Sequence, residues 1–441
     1  MTRAIRSLLD VAIGRLAQVL VLAFHRRVDV VQRDRLRTTG PTIVVANHGN
    51  GFVDPAVVAA ALRRVPRFVA KSTLWDVVIS RPFLWLAGVI PVYRQVDGST
   101  TGNASSFRAV HRTLVDGGTV AIFPEGTSSD RPSLEKVRTG AARMALGALA
   151  EADDVTILPI GLSFESHVDI RPAVAVFVGE PISVAEWRRE TGFTDAGEDD
   201  RDAVRALTDH ISVVLGAVSP DFDSIEERLI LRAAAEVTAR DVGHRIEPTF
   251  GTIELLARRL AAATADDRRR VVGCYRDYAT RLSLVRLRDA DLETRGEIRR
   301  LLRPAVSGAI LFLSGPLLFT LAVLHLPAIA VVIAATSVAR NPVHKGTTRL
   351  LVGLVAGLAT WIAAGVVLAD DWWAWVTALV VAVGGAVALS VIAPLYSLLR
   401  RLVGRVRSFG RRQLAEESRD DRDTLVETVI SVGGEPVEGL H

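Results

Sequence analysis

The sequence predicts an α/β fold, a sheet flanked by helices, followed by a charged helical region and then by C-terminal transmembrane helices. Three observations predict it. Short β-rich apolar runs alternate with helical patterns as far as residue 190, residues 191–303 are charged with a helical period, and residues 304–407 are apolar with basic borders. Strand–helix alternation at this spacing gives a largely buried sheet covered by helices.

The chain starts with a helical pattern, assigned to residues 1–27 as an amphipathic membrane-surface helix. Ile5, Leu8, Leu9, Ala12, Ile13, Leu16, Leu20, Ala23 and Phe24 recur at helical spacing, with Arg3, Arg6 and Arg15 off the stripe. Such a stripe fits an anionic membrane surface, and equally a helix packed on the protein's own core. No cleavable targeting segment is expected, because Asp10 and Arg15 interrupt the apolar stretch. Residues 28–190 form the α/β domain. Its strands are read at Thr42–Ala46, Arg67–Ala70, Gly88–Val92, Thr119–Phe123, Thr156–Ser163 and Ala173–Val178, with helices at Phe107–Val115 and Glu135–Ala150.

Residues 191–303 contain helical patterns around 203–217, 223–241, 250–264 and 266–287, with Arg and Glu mixed on the polar faces. They read as solvated helices covering or extending the first domain, without chemistry of their own. In residues 304–407 the charge-free blocks 350–369 and 372–399 are long enough to span a hydrocarbon core of about 30 Å. Block 305–339 is too long for one span and is expected to be a re-entrant hairpin, broken at Gly315, Pro316, His325 and Pro327. Basic residues flank these blocks, and Asp370 and Asp371 form an acidic turn beside Trp372, Trp373 and Trp375. The positive-inside rule puts the basic ends and the α/β domain on the cytoplasmic face of a membrane. Residues 408–441 read as a polar, disordered tail.

Composition narrows the function classes. The chain has 441 residues, 49 % of them hydrophobic, and a net charge of +4. Cys274 is the one cysteine, so neither a disulfide framework nor a cysteine metal cluster can form. The histidines show no tight ligand spacing, and no metal is expected. The basic blocks track the membrane borders, which argues for lipid contact and against nucleic acid.

Three constellations sit at predicted strand ends, where active residues of α/β sheets gather. The first is Asn47-His48-Gly49-Asn50-Gly51-Phe52-Val53-Asp54 after Thr42–Ala46. A histidine titrates near neutrality, and a carboxylate that holds one ring nitrogen protonated leaves the other free as a base. The second is Phe123-Pro124-Glu125-Gly126-Thr127-Ser128, and the third is Gly88-Val89-Ile90-Pro91-Val92-Tyr93-Arg94. A strand-end arginine suits bidentate phosphate binding. Taken singly, each has a bland reading: a core histidine, an ordinary Pro-Glu-Gly turn, a surface charge.

Taken together and in order, with Ile157-Leu158-Pro159-Ile160 as a fourth block, these motifs resemble the glycerolipid acyltransferase family, over roughly residues 20–180. The resemblance implies a mixed sheet flanked by helices. It also implies transfer of a fatty acyl group from acyl-CoA or acyl carrier protein, as co-substrate, to glycerol-3-phosphate or 1-acylglycerol-3-phosphate in phospholipid biosynthesis, with no cofactor. By the same resemblance His48 is the base and Asp54 orients it. Arg94, Glu125, Gly126 and Thr127 bind the acceptor, and Asn47 and Pro159 shape the site wall. The chain departs from the pattern twice. Five residues separate His48 from Asp54, where four are usual, and Ser128 and Ser129 stand where many members carry a basic residue. Phosphate charge must then be met by Arg94 with Arg138, Lys71 or Arg131, and Arg138 is the best placed. No Gly-x-Ser-x-Gly elbow is present and Cys274 lies outside the α/β region, so direct attack by the acceptor is expected without an acyl-enzyme. Competing readings are a lipid-binding protein that kept the fold without catalysis, an acyltransferase for another lysolipid, and a hydrolase in which His48 activates water.

Overall fold

The computed structural model describes residues 3–76, 81–93, 103–129, 131–166, 171–242, 248–285, 289–292, 323–338, 342–368, 373–382 and 412–436. The chain divides into two compact units. One is Met1–Arg228 with Thr249–Arg258, and the other is Leu229–Pro248 with Arg259–Pro436.

The first unit is built on a mixed sheet of β1 (Arg27–Val31), β2 (Thr42–Ala46), β3 (Arg67–Lys71), β4 (Ile90–Val92), β5 (Thr119–Ile122), β6 (Thr156–Phe164), β7 (Ala173–Val178) and β8 (Ile182–Ser183). Its order is β1-β7-β6-β2-β5-β3-β4, with β8 beside β6. The pairs β1–β7, β6–β2, β2–β5, β5–β3 and β3–β4 are parallel, whereas β7 and β8 run antiparallel to β6. All five residues of β2 are buried, which is why its apolar run does not alternate with polar residues.

Helices α1 (Arg3–Phe24), α2 (Val53–Leu62), α3 (Arg81–Ala87), α4 (Asn103–Val115), α5 (Gly140–Ala148), α6 (Val184–Thr191) and α7 (Arg201–Val218) follow in chain order. Val110 and Leu114 of α4, Ala141 and Ala145 of α5, and Leu207, Ile211 and Leu215 of α7 pack with Ile43, Val45, Val120 and Ile157 in one core. The α/β domain therefore does not stop at residue 190. The apolar stripe of α7 closes its core, so α6 and α7 belong to it.

Helix α1 packs one face on the protein's own core and leaves the other exposed. Its buried seam is Gly14, Ala17 and Val21, offset from the predicted stripe. A Cβ at Gly14 would lie 2.7 Å from Arg64 Cα, so only glycine lets the helix come this close. Asp10 pairs with Arg67 at 3.0 Å, and Gln18 donates to the Ala60 carbonyl at 3.0 Å. Leu8, Leu16, Val19 and Leu22 remain exposed.

Strand β1 is not among the strands predicted from the sequence, and its Arg27 and Asp29 interrupt the apolar pattern of Arg27–Val31. The structure neutralises that polarity: Arg27 Nε donates to Asp29 at 2.6 Å, and Asp29 also accepts the backbone N–H of Gly251 at 3.0 Å.

Helices α8 (Ile225–Val242) and α9 (Phe250–Ala261) are followed in the second unit by α10 (Ala265–Val285), α11 (Asp289–Leu292), α12 (323–338), α13 (Pro342–Leu368), α14 (373–382) and α15 (Arg412–Gly433). The tail expected to be disordered therefore carries a helix. Leu425 and Val429 of α15 are buried, and Arg422 bonds Asp289 at 2.8 Å; this inward-facing stripe was hidden in the sequence by dense surrounding charge. The expected hairpin 305–339 is described over 323–338 alone, as a helix that continues through His325 and Pro327. His325 accepts the indole N–H of Trp361 on α13 at 3.0 Å. The expected span 350–369 falls on α13, which also takes in Lys345 and Arg349, and 372–399 is described over 373–382. The other parts of these blocks lie outside the described residues. Among the described residues no helix is long and apolar enough to cross a membrane.

Candidate active site

The register of two neighbouring strands assembles the site. Val45 of β2 pairs with Ile122 of β5 in parallel. His48 follows Val45 by three residues, and Glu125 follows Ile122 by three. Two residues far apart in sequence therefore leave the same edge of the sheet side by side.

Between them the chain makes a tight loop into α2. Gly51 has φ +32°, and Val53 N donates to the Asn50 carbonyl at 2.8 Å. Asp54 sits in the first turn of α2, where the positive end of the helix dipole favours a negative charge. Its carboxylate is fully buried. His48 Nδ1 lies 2.8 Å from Asp54 Oδ2, and Asn50 N donates to the same oxygen at 2.7 Å. An ionised carboxylate only accepts, so Nδ1 carries the proton and Nε2 is left with a free lone pair. The longer His48–Asp54 spacing thus still closes the dyad.

The Phe-Pro-Glu-Gly loop grips His48 from the other side. The Phe123 ring stacks on the imidazole at 4.2 Å between centroids and 18° between planes, and Phe68 stacks on Phe123 behind it. Glu125 Oε1 accepts His48 N at 2.6 Å, and Oε2 accepts Glu135 N at 3.1 Å. Ser129 N donates to the His48 carbonyl at 2.9 Å. Burial pushes the Glu125 carboxyl up to about 7, against the two backbone N–H groups and His48, which lower it.

The other expected residues fall into three groups. Gly126 has φ +70°, and Arg138 lies against it, its Nε donating to the Glu125 carbonyl at 3.0 Å. Arg138 and Thr127 are exposed, and among the described residues the terminal nitrogens of Arg138 have no hydrogen-bond or ion-pair partner. Lys71 is exposed at the end of β3, at the same sheet edge. Asn47 and Pro159 are tied into the sheet itself. Asn47 exchanges two hydrogen bonds with the Leu162 backbone, at 3.0 and 2.6 Å, and Pro159 pairs with Val45 and accepts Gly179 N at 2.8 Å. Arg94 lies outside the described residues, and β4 before it ends three strands from β2. Arg131 pairs with Glu135 at 2.8 Å.

Residues 27–163 match the family model described as Acyltransferase. The chain carries an acyltransferase domain. The matched stretch begins at β1 and ends in β6, so it contains the His48–Asp54 dyad and the Glu125 loop. The chain is 36 % identical over 138 residues to glycerol-3-phosphate O-acyltransferase 2 of Saccharomyces cerevisiae, covering 30 % of this chain and 18 % of that protein. It is 30 % identical over 128 residues to glycerol-3-phosphate O-acyltransferase 1 of the same yeast, covering 29 % and 17 %. The matches thus span less than a fifth of the length of these curated relatives. The 1-acyl-sn-glycerophosphate (LPA) acyltransferase PlsC of Thermotoga maritima aligns with a TM-score of 0.34 and 18 % identity, over 46 % of this chain and 78 % of that one.

Within the acyltransferase domain, Phe123 and the backbone groups of Ser129 and Glu135 take part in the site without a role expected from the motifs. The signal for Phe123 was available: an aromatic residue one position past a buried strand, beside the strand that delivers His48. His25 is a structural histidine, its Nδ1 3.0 Å from the Pro172 carbonyl and its basicity lowered by burial.

Proposed function

We propose that this domain transfers a fatty acyl group from an acyl-CoA or acyl carrier protein thioester to the hydroxyl of glycerol-3-phosphate or 1-acylglycerol-3-phosphate. The observation that carries the reading is the 2.8 Å contact between His48 Nδ1 and Asp54, which leaves Nε2 as a base. Nε2 takes the acceptor hydroxyl proton as the oxygen attacks the thioester carbonyl. The tetrahedral intermediate collapses, the C–S bond breaks, and the imidazolium returns the proton to the leaving thiolate. Asp54 stabilises the imidazolium in between. A thioester is already activated, so a base and orientation suffice without a protein nucleophile.

For the acceptor phosphate we assign Arg138, whose terminal nitrogens have no protein partner among the described residues, together with Arg94 and Lys71. Gly126 and Thr127 complete the acceptor side. We also assign the chain to a membrane, with the domain on its cytoplasmic face. The exposed Leu8, Leu16, Val19 and Leu22 of α1 and the 49 % hydrophobic composition support this.

The test supplies the purified full chain in liposomes with labelled acyl-CoA and each acceptor in turn, and identifies products by mass spectrometry. An acylated glycerol phosphate, lost in His48→Ala with membrane association intact, is the expected result. Release of free fatty acid alone would make the protein a hydrolase and overturn the reading.

A further inference from the structure

We infer that Glu125 is a positioning residue for His48, and that the Phe-Pro-Glu-Gly loop is a cradle for the base in addition to any contact with the acceptor. The inference rests on the acyl-transfer reading above and assigns Glu125 a role that the family resemblance does not.

Four contacts carry it. The Glu125 carboxylate is buried, 5 % exposed, and each of its oxygens already accepts a backbone N–H: His48 N at 2.6 Å and Glu135 N at 3.1 Å. A carboxylate placed to bind a diffusing hydroxyl would turn an oxygen toward solvent, whereas this one is spent on the chain. The third contact is the Ser129 N–H on the His48 carbonyl at 2.9 Å, so both polar groups of the His48 backbone are held by the 125–129 loop. The fourth is the Phe123 stack on the imidazole, which fixes the plane of the ring. Asp54 holds Nδ1. Backbone, ring plane and ring edge are thus fixed by separate groups, and the direction of the Nε2 lone pair is set before substrate arrives.

The test compares Glu125→Ala and Glu125→Gln with wild type. Glutamine keeps a carbonyl oxygen for His48 N and sets its NH2 against the Glu135 N–H, so it should rescue part of the function. We expect kcat for acyl transfer to fall by about 100-fold in the alanine variant, by about 10-fold in the glutamine variant, and KM for glycerol-3-phosphate to stay within about threefold in both. A KM raised more than tenfold at unchanged kcat would make Glu125 an acceptor ligand and overturn the inference. A second readout needs no activity: the rate at which diethyl pyrocarbonate modifies His48, followed by peptide mass spectrometry in the full chain. Glu125→Ala should raise that rate several-fold, and an unchanged rate would overturn the inference. Should wild type transfer no acyl group, the functional reading falls while the modification rates still decide on positioning. Should the alanine variant fail to fold, Glu125→Gln decides on both readouts.

Discussion

Asn50 donates its backbone N–H to the same Asp54 oxygen that faces His48, at 2.7 Å against 2.8 Å for the imidazole. The extra residue between His48 and Asp54 is absorbed in this turn, where Gly51 takes φ +32°. The loop closes on the carboxylate, so the dyad keeps a hydrogen-bonding distance although the spacing is longer.

This arrangement makes a prediction about Asp54. One oxygen serves both donors, and the other is buried without a hydrogen-bond partner among the described residues. The side-chain amide introduced by Asp54→Asn can therefore place its carbonyl oxygen on both donors and its NH2 in the empty position, which keeps the imidazole tautomer and removes only the charge. Asp54→Asn should lower kcat by about 10²-fold and Asp54→Ala by about 10³- to 10⁴-fold, with the fold of the asparagine variant intact by circular dichroism. Wild-type kcat in the alanine variant would remove Asp54 from the mechanism.

Arg138 makes the second prediction. Its Nε is anchored on the Glu125 carbonyl, which holds the rest of the guanidinium in one direction. Arg138→Ala should raise KM for a phosphate-bearing acceptor by about tenfold or more, the worth of a charged hydrogen bond of about 1.5–3 kcal/mol. Arg138→Lys should restore little, because an ammonium cannot bond the Glu125 carbonyl and span two phosphate oxygens with a planar fork. Steady-state kinetics with glycerol-3-phosphate and with glycerol would show it. An equal effect on both acceptors would sink the assignment.

Gly126 leads to the third. Its φ of +70° costs an L-residue about 1–2 kcal/mol, and a Cβ there would lie 2.9 Å from Arg138 Nε. Gly126→Ala should lower stability by that amount and displace Arg138, so that KM for the acceptor rises as it does in Arg138→Ala. Combining the two substitutions separates the effects: the KM changes should be less than additive, since both act on one guanidinium. Full additivity would show that Gly126 acts elsewhere.

Much of this site was legible because parallel strands deliver motifs to one edge. The runs Thr42–Ala46 and Ala173–Val178 stand in the structure as read, and Thr119–Phe123 is one residue too long. Helix α2 is not among the helices predicted from the sequence, because Val53–Leu62 begins inside the His48–Asp54 motif and places Pro55 in its first turn. Pro is tolerated there because those N–H groups have no helical partner in any case. The role of Glu125 was not legible either. A Pro-Glu-Gly triplet reads the same whether its carboxylate faces a ligand or turns inward on backbone N–H groups, and only the β2–β5 register brings His48 N within its reach.

The inward turn of Glu125 makes the last prediction, a dependence of stability on pH. Burial raises its carboxyl from an ordinary 4.5 to about 7. Between those values the folded chain holds a proton there that the unfolded chain has released, so stability falls as pH rises through the window. The contribution is full below pH 4.5 and lost above pH 7, and its size is about 3 kcal/mol as an order of magnitude. Glu125→Gln cannot titrate. It loses one backbone hydrogen bond at every pH, which sets a constant offset, but it escapes the cost of burying a charge. Thermal midpoints of the two proteins should therefore shift in favour of the glutamine variant on going from pH 4.5 to pH 7, and run parallel above pH 7. A difference that stays constant from pH 4.5 to pH 7 would mean that Glu125 ionises at its ordinary value, with water reaching the carboxylate that the structure buries.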